Sequence, residues 1–455
     1  MHIGITTRAM LQPRTAHQLA VRLRCSYHTE NYQESSDNAS KSTLSRLPTK
    51  TLLRSLVLTS LMSKEWLLRP SLTILNMVAK SKSAILNADR NPFLNRILRW
   101  TIYNHFCAGS NKAQVARSLT EVKDIGYQGV ILGWAKEVVL NPVDGGVHSD
   151  NAKYGPACYQ MIDEWKEGTL NTLRMLGPGD FLAVKLTGAG PISLDAMKAR
   201  QPIPEPLGKA LDEICLETQK QGSRLWIDAE QQVLQPGLDE WVIALMRRYN
   251  RGRKALVYNT IQAYLKGSRV NAERHITQAA KEGWTLGLKL VRGAYIEHEV
   301  RRLIHETKED TDRSYDLIAD MVISQKLPSG AGHVDFPPSA LFLATHNAAS
   351  AGKAMETHQQ RIDAGLPTTT LECGQIIGMA DELSCALLDR REQCTSNSPT
   401  AMEAAPGVFK FLAVGSVGEC IEYLYRRAVE NRGAVQRTEQ MVTALKKELY
   451  RRVFN

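Results

Sequence analysis

Short apolar and β-branched runs alternate with longer segments of helical periodicity from about residue 129 onward. Apolar runs of about four to eight residues are typical of strands that are covered on both faces, as in parallel sheets. Between them, segments such as 207–221 and 271–282 carry apolar residues at helical spacing. This pattern predicts strands at residues 129–133, 182–186, 225–229, 255–258, 286–291, 341–345, 372–378 and 408–414.

Repeating β–α units predict an α/β fold with parallel strands. Eight units, recurring roughly every 30–55 residues, favour a distorted (βα)8, TIM-like barrel over an open doubly wound sheet. Residues 111–455 are assigned to this barrel, and residues 31–110 to a polar linker and a Leu- and Arg-rich helical arm packed on it. The alternative for the arm is an amphipathic helix on a membrane surface.

The last predicted barrel helix contains adjacent arginines, Arg426 and Arg427, with Glu430 one turn further on. Two guanidinium groups suit a carboxylate or a phosphate, because each can donate two parallel hydrogen bonds. An exposed ion pair with Glu430 is the plainer interpretation. If the arginines bind an anion at the barrel mouth, this helix must lie over the mouth instead of outside the sheet. Its apolar stripe consists of Val417, Cys420, Ile421, Leu424 and Ala428.

The net charge of +10 raises the question of a nucleic-acid partner, but no nucleic-acid-binding motif accompanies it, so none is expected. Residues 1–28 hold four arginines and no acidic residue. Residues 1–30 are therefore predicted to be a mitochondrial transit peptide, with a disordered basic tail as the alternative. The eight cysteines show neither a C-x-x-C pair nor zinc spacing, which predicts free thiols and no metal site.

Polar residues recur at the carboxyl ends of the predicted strands, where functional groups of such barrels lie. A lysine within an apolar strand needs a partner, and Asp228 on the next strand is the natural one for Lys185. Plainer roles exist for single residues, such as a helix N-cap for Asp228 and a rim histidine for His346. The recurring set is Lys185, Asp228, Gln262, Lys289, Arg292, Thr345, His346 and Gln375.

The sequence contains no G-x-G-x-x-G and no G-x-x-x-x-G-K-[ST] motif, which excludes dinucleotide binding of the Rossmann or P-loop kind. The turn at residues 292–295 offers another phosphate site. Gly293 and Ala294 would let backbone N–H groups approach a phosphate, and Arg292 would add charge. An ordinary βα loop is the alternative.

Five motifs occur in the order W-I-D-A-E, N-T-I-Q-A-Y-L, L-K-L-V-R-G-A-Y, F-L-A-T-H-N and Y-L-Y-R-R-A-V-E-N. In this order they resemble the proline dehydrogenase (proline oxidase) family. The resemblance implies a distorted barrel holding FAD and oxidation of L-proline to Δ1-pyrroline-5-carboxylate, with hydride transfer to FAD N5. It further implies electron transfer to ubiquinone and peripheral association with the matrix side of the mitochondrial inner membrane.

The resemblance also assigns residue roles. Lys185, Arg426 and Arg427 would hold the proline carboxylate, and Tyr295 would pack near the proline ring. Asp228 and Lys289 would form the catalytic group, with Asp228 orienting the cluster. Contacts to FAD would come from Ala229, Gln262, Arg292, Gly293, Ala294, Thr345, His346, Gln375 and Glu430.

Two positions depart from the bacterial members, which have arginine in place of Lys289 and tyrosine in place of Phe411. Lysine keeps the charge and loses the two-pronged geometry, and phenylalanine removes a hydroxyl near the substrate site. Hydroxyproline oxidation therefore stays open as the activity. Outside the family, the alternatives are a Schiff-base lyase using Lys185 and a non-catalytic mitochondrial scaffold.

Overall fold

The computed structural model describes residues 42–81, 83–135, 154–296, 299–395, 405–430 and 435–454. The predicted transit peptide, residues 1–30, lies outside the described residues. The strands, in chain order, are β1 (Cys107–Gly109), β2 (Gly129–Trp134), β3 (Phe181–Val184), β4 (Arg224–Ile227), β5 (Val257–Gln262), β6 (Leu286–Val291), β7 (Ser339–Ala344), β8 (Thr370–Ile376) and β9 (Gly407–Val414).

Helices separate the strands and also precede and follow the barrel. Side chains of Asn91, Asn111, Thr307 and Asn347 accept backbone N–H bonds at the first turns of four of them. The helices are α1 (Thr49–Met62), α2 (Glu65–Lys80), α3 (Pro92–Leu98), α4 (Asn104–Phe106), α5 (Lys112–Asp124), α6 (Pro156–Leu173), α7 (Pro191–Lys198), α8 (Glu205–Gln221), α9 (Gln235–Tyr249), α10 (Ser268–Glu282), α11 (Lys308–Ile323), α12 (Ala348–Asp363), α13 (Asp381–Thr395), α14 (Val417–Glu430) and α15 (Val435–Phe454).

Strands β2 to β9 form a closed parallel barrel, in which each strand pairs with the next and β9 pairs with both β8 and β2. The predicted (βα)8 barrel is confirmed. Some strand ends differ from the prediction: β3 ends at Val184, so Lys185 follows the strand, and β5 continues to Gln262. The short β1 was not predicted. It pairs with Ala413 and Val414 of β9, beyond the last residue that β9 pairs with β8.

Aromatic rings fill the barrel interior. The rings of Phe181, Trp226 and Phe342 lie 5.0 to 5.2 Å apart between centroids, and Tyr258 and Phe409 complete the layer. All five are almost completely buried, and burial of one such ring stabilises the fold by about 1.5–3 kcal/mol. The interior is therefore a packed core, and the space for a ligand lies above it, at the carboxyl ends of the strands.

A buried ion pair lies near the first residue of β4. The guanidinium of Arg224 donates to Glu372 Oε2 at 2.8 Å and lies 3.9 Å above the Phe181 ring. Arg224 opens its strand and Glu372 lies early in β8. Charge is thus balanced beneath the aromatic layer, at the end of the barrel opposite the mouth.

The helical arm packs against the last barrel helix. Val78 of α2 and Leu98 of α3 share one buried cluster with Cys420, Ile421 and Leu424 of α14. Four members of the stripe predicted for this helix are thus buried, since Val417 belongs to the same cluster. Within the part of the chain that the structure describes, no helix is long and apolar enough to cross a membrane.

Helix α14 lies over the barrel mouth, which is the position expected if the arginine pair binds an anion there. The Tyr423 ring of this helix is 6.2 Å from the ring of Phe411, which is on the inner side of β9 beside Gly133. Helix α15 then leaves the barrel and packs on α1, where Leu445 joins Leu44, Leu47 and Leu52. The eighth unit is therefore distorted, because its helix covers the mouth instead of the outer wall.

The turn before α3 caps the start of α14. Asp89 Oδ1 accepts from the Gly418 N–H at 3.0 Å, and Oδ2 accepts from the Ser416 hydroxyl at 2.8 Å. Asp89→Ala should lower the free energy of unfolding by about 1 kcal/mol, because a helix N-terminus loses its acceptor. Amide hydrogen exchange should become faster at the first turn of α14. Asp89→Asn, which keeps one acceptor oxygen, should lose less, and equal effects of both variants would contradict the capping role.

Candidate active site

Strand register brings Lys185 and Asp228 together at the mouth. Val184 and Ile227 are paired across β3 and β4, and the Asp228 N–H donates to the Val184 carbonyl at 2.8 Å. The next side chains along both strands therefore emerge side by side. Lys185 Nζ lies 3.8 Å from Asp228 Oδ2.

Lys289 points into the barrel from β6 and contacts the same carboxylate. Its Nζ is 2.5 Å from Asp228 Oδ1 and 4.3 Å above the Trp226 ring. Burial lowers the pKa of Lys289, Asp228 opposes this shift, and the charges of Lys185 and Arg427 reinforce it. The ammonium is thus stabilised mainly by Asp228 and the indole face, and the other cations of the mouth act against it.

Arg427 belongs to this cluster of charges. Its charge acts on Lys289 across the mouth, and its guanidinium lies 5.6 Å from the Tyr423 ring on the same helix. Arg426, the adjacent residue, is half-buried. Glu430 ends α14, and its side chain lies outside the described part of the structure. Lys185 and Lys289 thus share the carboxylate of Asp228, and Arg427 adds a third positive charge that acts on Lys289, so this cluster is suited to bind an anion.

A buried carboxylate that sequence reasoning left without a role positions Tyr295. The Tyr295 hydroxyl donates to Glu230 Oε2 at 3.1 Å and lies 3.4 Å from Lys185 Nζ. Glu230 is only 1% exposed, and its Oε1 accepts from the Thr187 hydroxyl at 3.0 Å. Glu230 is the last residue of the W-I-D-A-E motif and follows a predicted strand, which was the sequence signal for its place at the rim.

Arg292 is held by a second residue that the sequence did not reveal, Asp312 of α11. Arg292 Nε and one terminal nitrogen donate to Asp312 Oδ1 at 3.0 and 2.8 Å, and the other donates to Thr345 Oγ1 at 2.6 Å. Burial would raise the pKa of Asp312, but hydrogen bonds from Lys308 and Arg292 outweigh it and lower the pKa. Asp312 therefore remains ionised and fixes the guanidinium at the rim.

The remaining rim residues form one hydrogen-bonded row across β7 and β8. Gln375 Nε2 donates to the Thr345 carbonyl at 3.3 Å, and the Ser384 hydroxyl donates to Gln375 Oε1 at 2.8 Å. The Ile376 N–H lies 3.3 Å from His346 Nε2, which accepts from it. The row connects to Arg292 through Thr345, so these side chains share one wall of the mouth.

Two observations indicate where a ligand would fit along this wall. The buried Oε1 of Gln262 has no hydrogen-bond partner among the residues that the structure describes, which is costly without a donor from a ligand. Gly293 has φ of +145°, and a Cβ there would lie 2.3 Å from the Tyr264 ring. Only glycine fits this turn, and it leaves the backbone accessible. Ala294 beside it is half-buried, and Ala229 is buried.

Comparison with known proteins decides the family. The model of the proline dehydrogenase family matches residues 115–440. The chain belongs to the proline dehydrogenase family. The family predicted from the five motifs is thereby confirmed.

The relatives of this chain include proteins named proline dehydrogenase and proteins named hydroxyproline dehydrogenase. The probable mitochondrial proline dehydrogenase of Schizosaccharomyces pombe is 27% identical over 456 residues, covering 89% of this chain and 88% of that protein. The hydroxyproline dehydrogenase of Mus musculus is 34% identical over 241 residues, covering 50% of this chain and 48% of that protein.

Solved structures share the fold. Proline utilization A from Bdellovibrio bacteriovorus, inactivated by N-propargylglycine, matches with a TM-score of 0.63 and 15% identity. The match covers 89% of this chain and 43% of that longer chain.

The Arg292–Asp312 pair gives a test of the rim wall. If this wall holds FAD, as the family resemblance implies, Asp312→Ala should weaken FAD binding about tenfold, on the order of 1.4 kcal/mol, because the guanidinium of Arg292 loses its fixed orientation. Flavin retained after gel filtration and a flavin titration measure this, and the proline KM should stay unchanged. Lys308→Ala is the control, since it removes the exposed partner of the same carboxylate. An effect of the control equal to that of Asp312→Ala would refute the positioning role.

Proposed function

We propose that this chain oxidises L-proline to Δ1-pyrroline-5-carboxylate with FAD as cofactor and ubiquinone as electron acceptor. The observation that carries the proposal is the positive mouth, in which Lys185 and Lys289 contact Asp228, Lys289 lies above the Trp226 ring, and the charge of Arg427 acts on Lys289. The carboxylate is the strongest handle on a small amino acid such as proline. A partly desolvated cluster with more cations than anions is complementary to it.

The residues around this cluster would each contact a different part of the substrate. Lys185, Arg426 and Arg427 would hold the carboxylate, with Tyr295 near the ring. The bond from Tyr295 to buried Glu230 orients the phenol before substrate arrives. Pre-organisation of this kind lowers the entropy cost of placing the ring correctly. Helix α14, which lies over the mouth, would also shield the ring from water.

The reacting nitrogen must be neutral, since its lone pair assists removal of a hydride from the adjacent carbon. The positive mouth favours this state, because Lys185, Lys289 and Arg427 all disfavour a further cation nearby. Asp228 opposes the lowering of the Lys289 pKa by burial, and it fixes Lys185 and Lys289 at 3.8 and 2.5 Å. Asp228 and Lys289 would thus act by charge and orientation on bound substrate.

The wall from β5 to β8 fits FAD. Gln262 has an acceptor to satisfy, Gly293 and Ala294 offer accessible backbone, and Arg292 supplies a fixed charge. Once bound, FAD would supply an acceptor for the hydride at N5. The residues proposed to contact it are Ala229, Gln262, Arg292, Gly293, Ala294, Thr345, His346, Gln375 and Glu430.

The proposed location is the matrix side of the mitochondrial inner membrane, reached through a transit peptide at residues 1–30. Relatives named as mitochondrial support it, as does the acid-free basic segment 1–28. Association would be peripheral. A lipid-soluble quinone requires such contact, since it is reached only at the bilayer.

Hydroxyproline is the second candidate substrate. Phe411 supplies no hydroxyl at the inner side of β9, and its nearest aromatic neighbour on the covering helix is Tyr423, 6.2 Å away. An apolar wall here would tolerate a substituted ring that a fixed hydroxyl would reject. A hydroxyproline dehydrogenase is also among the relatives. The Schiff-base lyase and scaffold alternatives have no support from the family.

Anaerobic titration of the purified flavoprotein with L-proline and with 4-hydroxyproline tests the proposal. L-proline should bleach the flavin absorbance, because the flavin becomes reduced and no oxygen or quinone is present to reoxidise it. Stronger bleaching by 4-hydroxyproline would transfer the activity to that substrate. A colourless protein that borohydride traps with a carbonyl substrate would instead support a lyase using Lys185.

Substitution of Arg427 tests the proposed binding of the proline carboxylate. Arg427→Met should raise the proline KM about tenfold to a hundredfold, because a charged carboxylate loses a partner. Arg427→Lys keeps the charge and loses the two-pronged hydrogen-bonding geometry, so its proline KM should lie between those of the unsubstituted chain and Arg427→Met. Unchanged proline affinity together with loss of FAD binding would assign Arg427 to the cofactor and refute its role in holding the proline carboxylate.

A further inference from the structure

Helix α2 of the arm exposes large apolar side chains along one face. Trp66 is 73% exposed, Ile74 59% and Met77 53%, and their spacing of eight and three residues places them on the same side of the helix. Leu68 and Val78 of the same helix are buried. Isolated exposed apolar residues are ordinary, but a continuous face indicates an interaction site.

The segment that follows carries a second exposed apolar face. Phe93, Ile97 and Trp100 recur at spacings of four and three residues and are 74%, 42% and 73% exposed. Leu98 on the other side packs in the cluster that also contains Val78. Both exposed faces therefore point away from the same buried cluster. We call the exposed faces of α2 and of residues 93–100, with the turn between them, the arm surface.

The arm surface is basic as well as apolar. Residues 65–100 contain six Lys and Arg residues and two acidic ones, and one of the latter, Asp89, is engaged with α14. Arg69, Arg90 and Arg96 are exposed among the apolar side chains. Apolar faces rich in Trp and Phe, with flanking Lys and Arg, are typical of helices that lie in a lipid interface.

We propose that the arm surface docks on a bilayer that contains anionic phospholipid. The inference names the surface responsible for the membrane association in the proposed function and rests on it. The excess of arginine and lysine is complementary to anionic headgroups, each contributing about 1 kcal/mol near the surface. A symmetric contact with a second copy would place the same basic patch against itself, which like charges disfavour.

Docking at the arm surface would bring the barrel mouth near the lipid. Helix α2 packs directly against α14, and Asp89 caps that helix from the turn of the arm surface. One helix therefore separates the lipid-facing side chains from Arg426 and Arg427. An acceptor dissolved in the bilayer would have a short path to the mouth.

Vesicle sedimentation of the full chain tests the arm surface. One variant carries Trp66→Ser, Phe93→Ser and Trp100→Ser. The matched control carries Leu216→Ser, Val270→Ser and Leu317→Ser, which remove apolar residues of 56%, 68% and 55% exposure from barrel helices. A third variant, Arg90→Gln with Arg96→Gln, alters only charge. Vesicles of phosphatidylcholine are compared with the same lipid mixed with phosphatidylglycerol, at low and high salt.

The unsubstituted chain and the control should sediment with the anionic vesicles, and less so at high salt. The arm variant should bind at least about tenfold more weakly, and the arginine variant should lose much of its salt dependence. Residues 1–41 are common to all variants, so differences report on the arm surface. Proline-dependent reduction of a soluble dye should be equal in all of them.

Binding of the arm variant equal to that of the unsubstituted chain would overturn the proposal. So would light scattering that shows a dimer for the unsubstituted chain and a monomer for the arm variant, which would make the surface a self-interface. Absence of dye reduction in every variant would refute the proposed function instead, whatever the vesicles show.

Discussion

The architecture of the mouth depends on one carboxylate. Asp228 contacts Lys289 at 2.5 Å and Lys185 at 3.8 Å, in a place where both lysines are largely removed from water. A buried ammonium without a partner is costly, so Asp228 stabilises both lysines, together with Tyr295 beside Lys185 and the Trp226 ring beside Lys289. That carboxylate is in turn fixed by the register of β3 and β4 and by the aromatic layer beneath it. Barrel closure and charge balance are thus parts of the same constraint.

Much of the fold could be predicted from the sequence, because all eight barrel strands are buried on both faces and appear as apolar runs. Boundaries were less predictable: Lys185 follows an apolar run and was included in it, although the strand ends at Val184. The three-residue β1 has no sequence pattern of its own, since its pairing depends on β9 being exposed beyond β8. Helical periodicity gave the buried stripe of α14, but not the elements it packs on.

Some residues of the candidate site could likewise be predicted from the sequence, and others could not. Polar residues that end strands could be listed in advance, because parallel strands bring their carboxyl ends to one rim. Residues that act on the rim from elsewhere could not. Asp312 lies in the second turn of α11 after Glu309 and Asp310, where acidic residues are expected near any helix N-terminus. Tyr423 was not among the predicted site residues, and the structure places its ring 6.2 Å from that of Phe411 and 5.6 Å from the Arg427 guanidinium.

The charge balance of the mouth explains why helix α14 must leave the usual barrel position. In the proposed function, the positive charges of Lys185, Lys289 and Arg427 repel one another until an anion binds between them, so some stability would be exchanged for binding. Such a helix needs support from outside the barrel, because it lacks the sheet surface that other barrel helices pack on. The arm supplies it through Val78, Leu98 and the cap from Asp89. Contacts made by the arm surface would therefore be transmitted to the arginines through a packed and hydrogen-bonded connection, rather than through a loop.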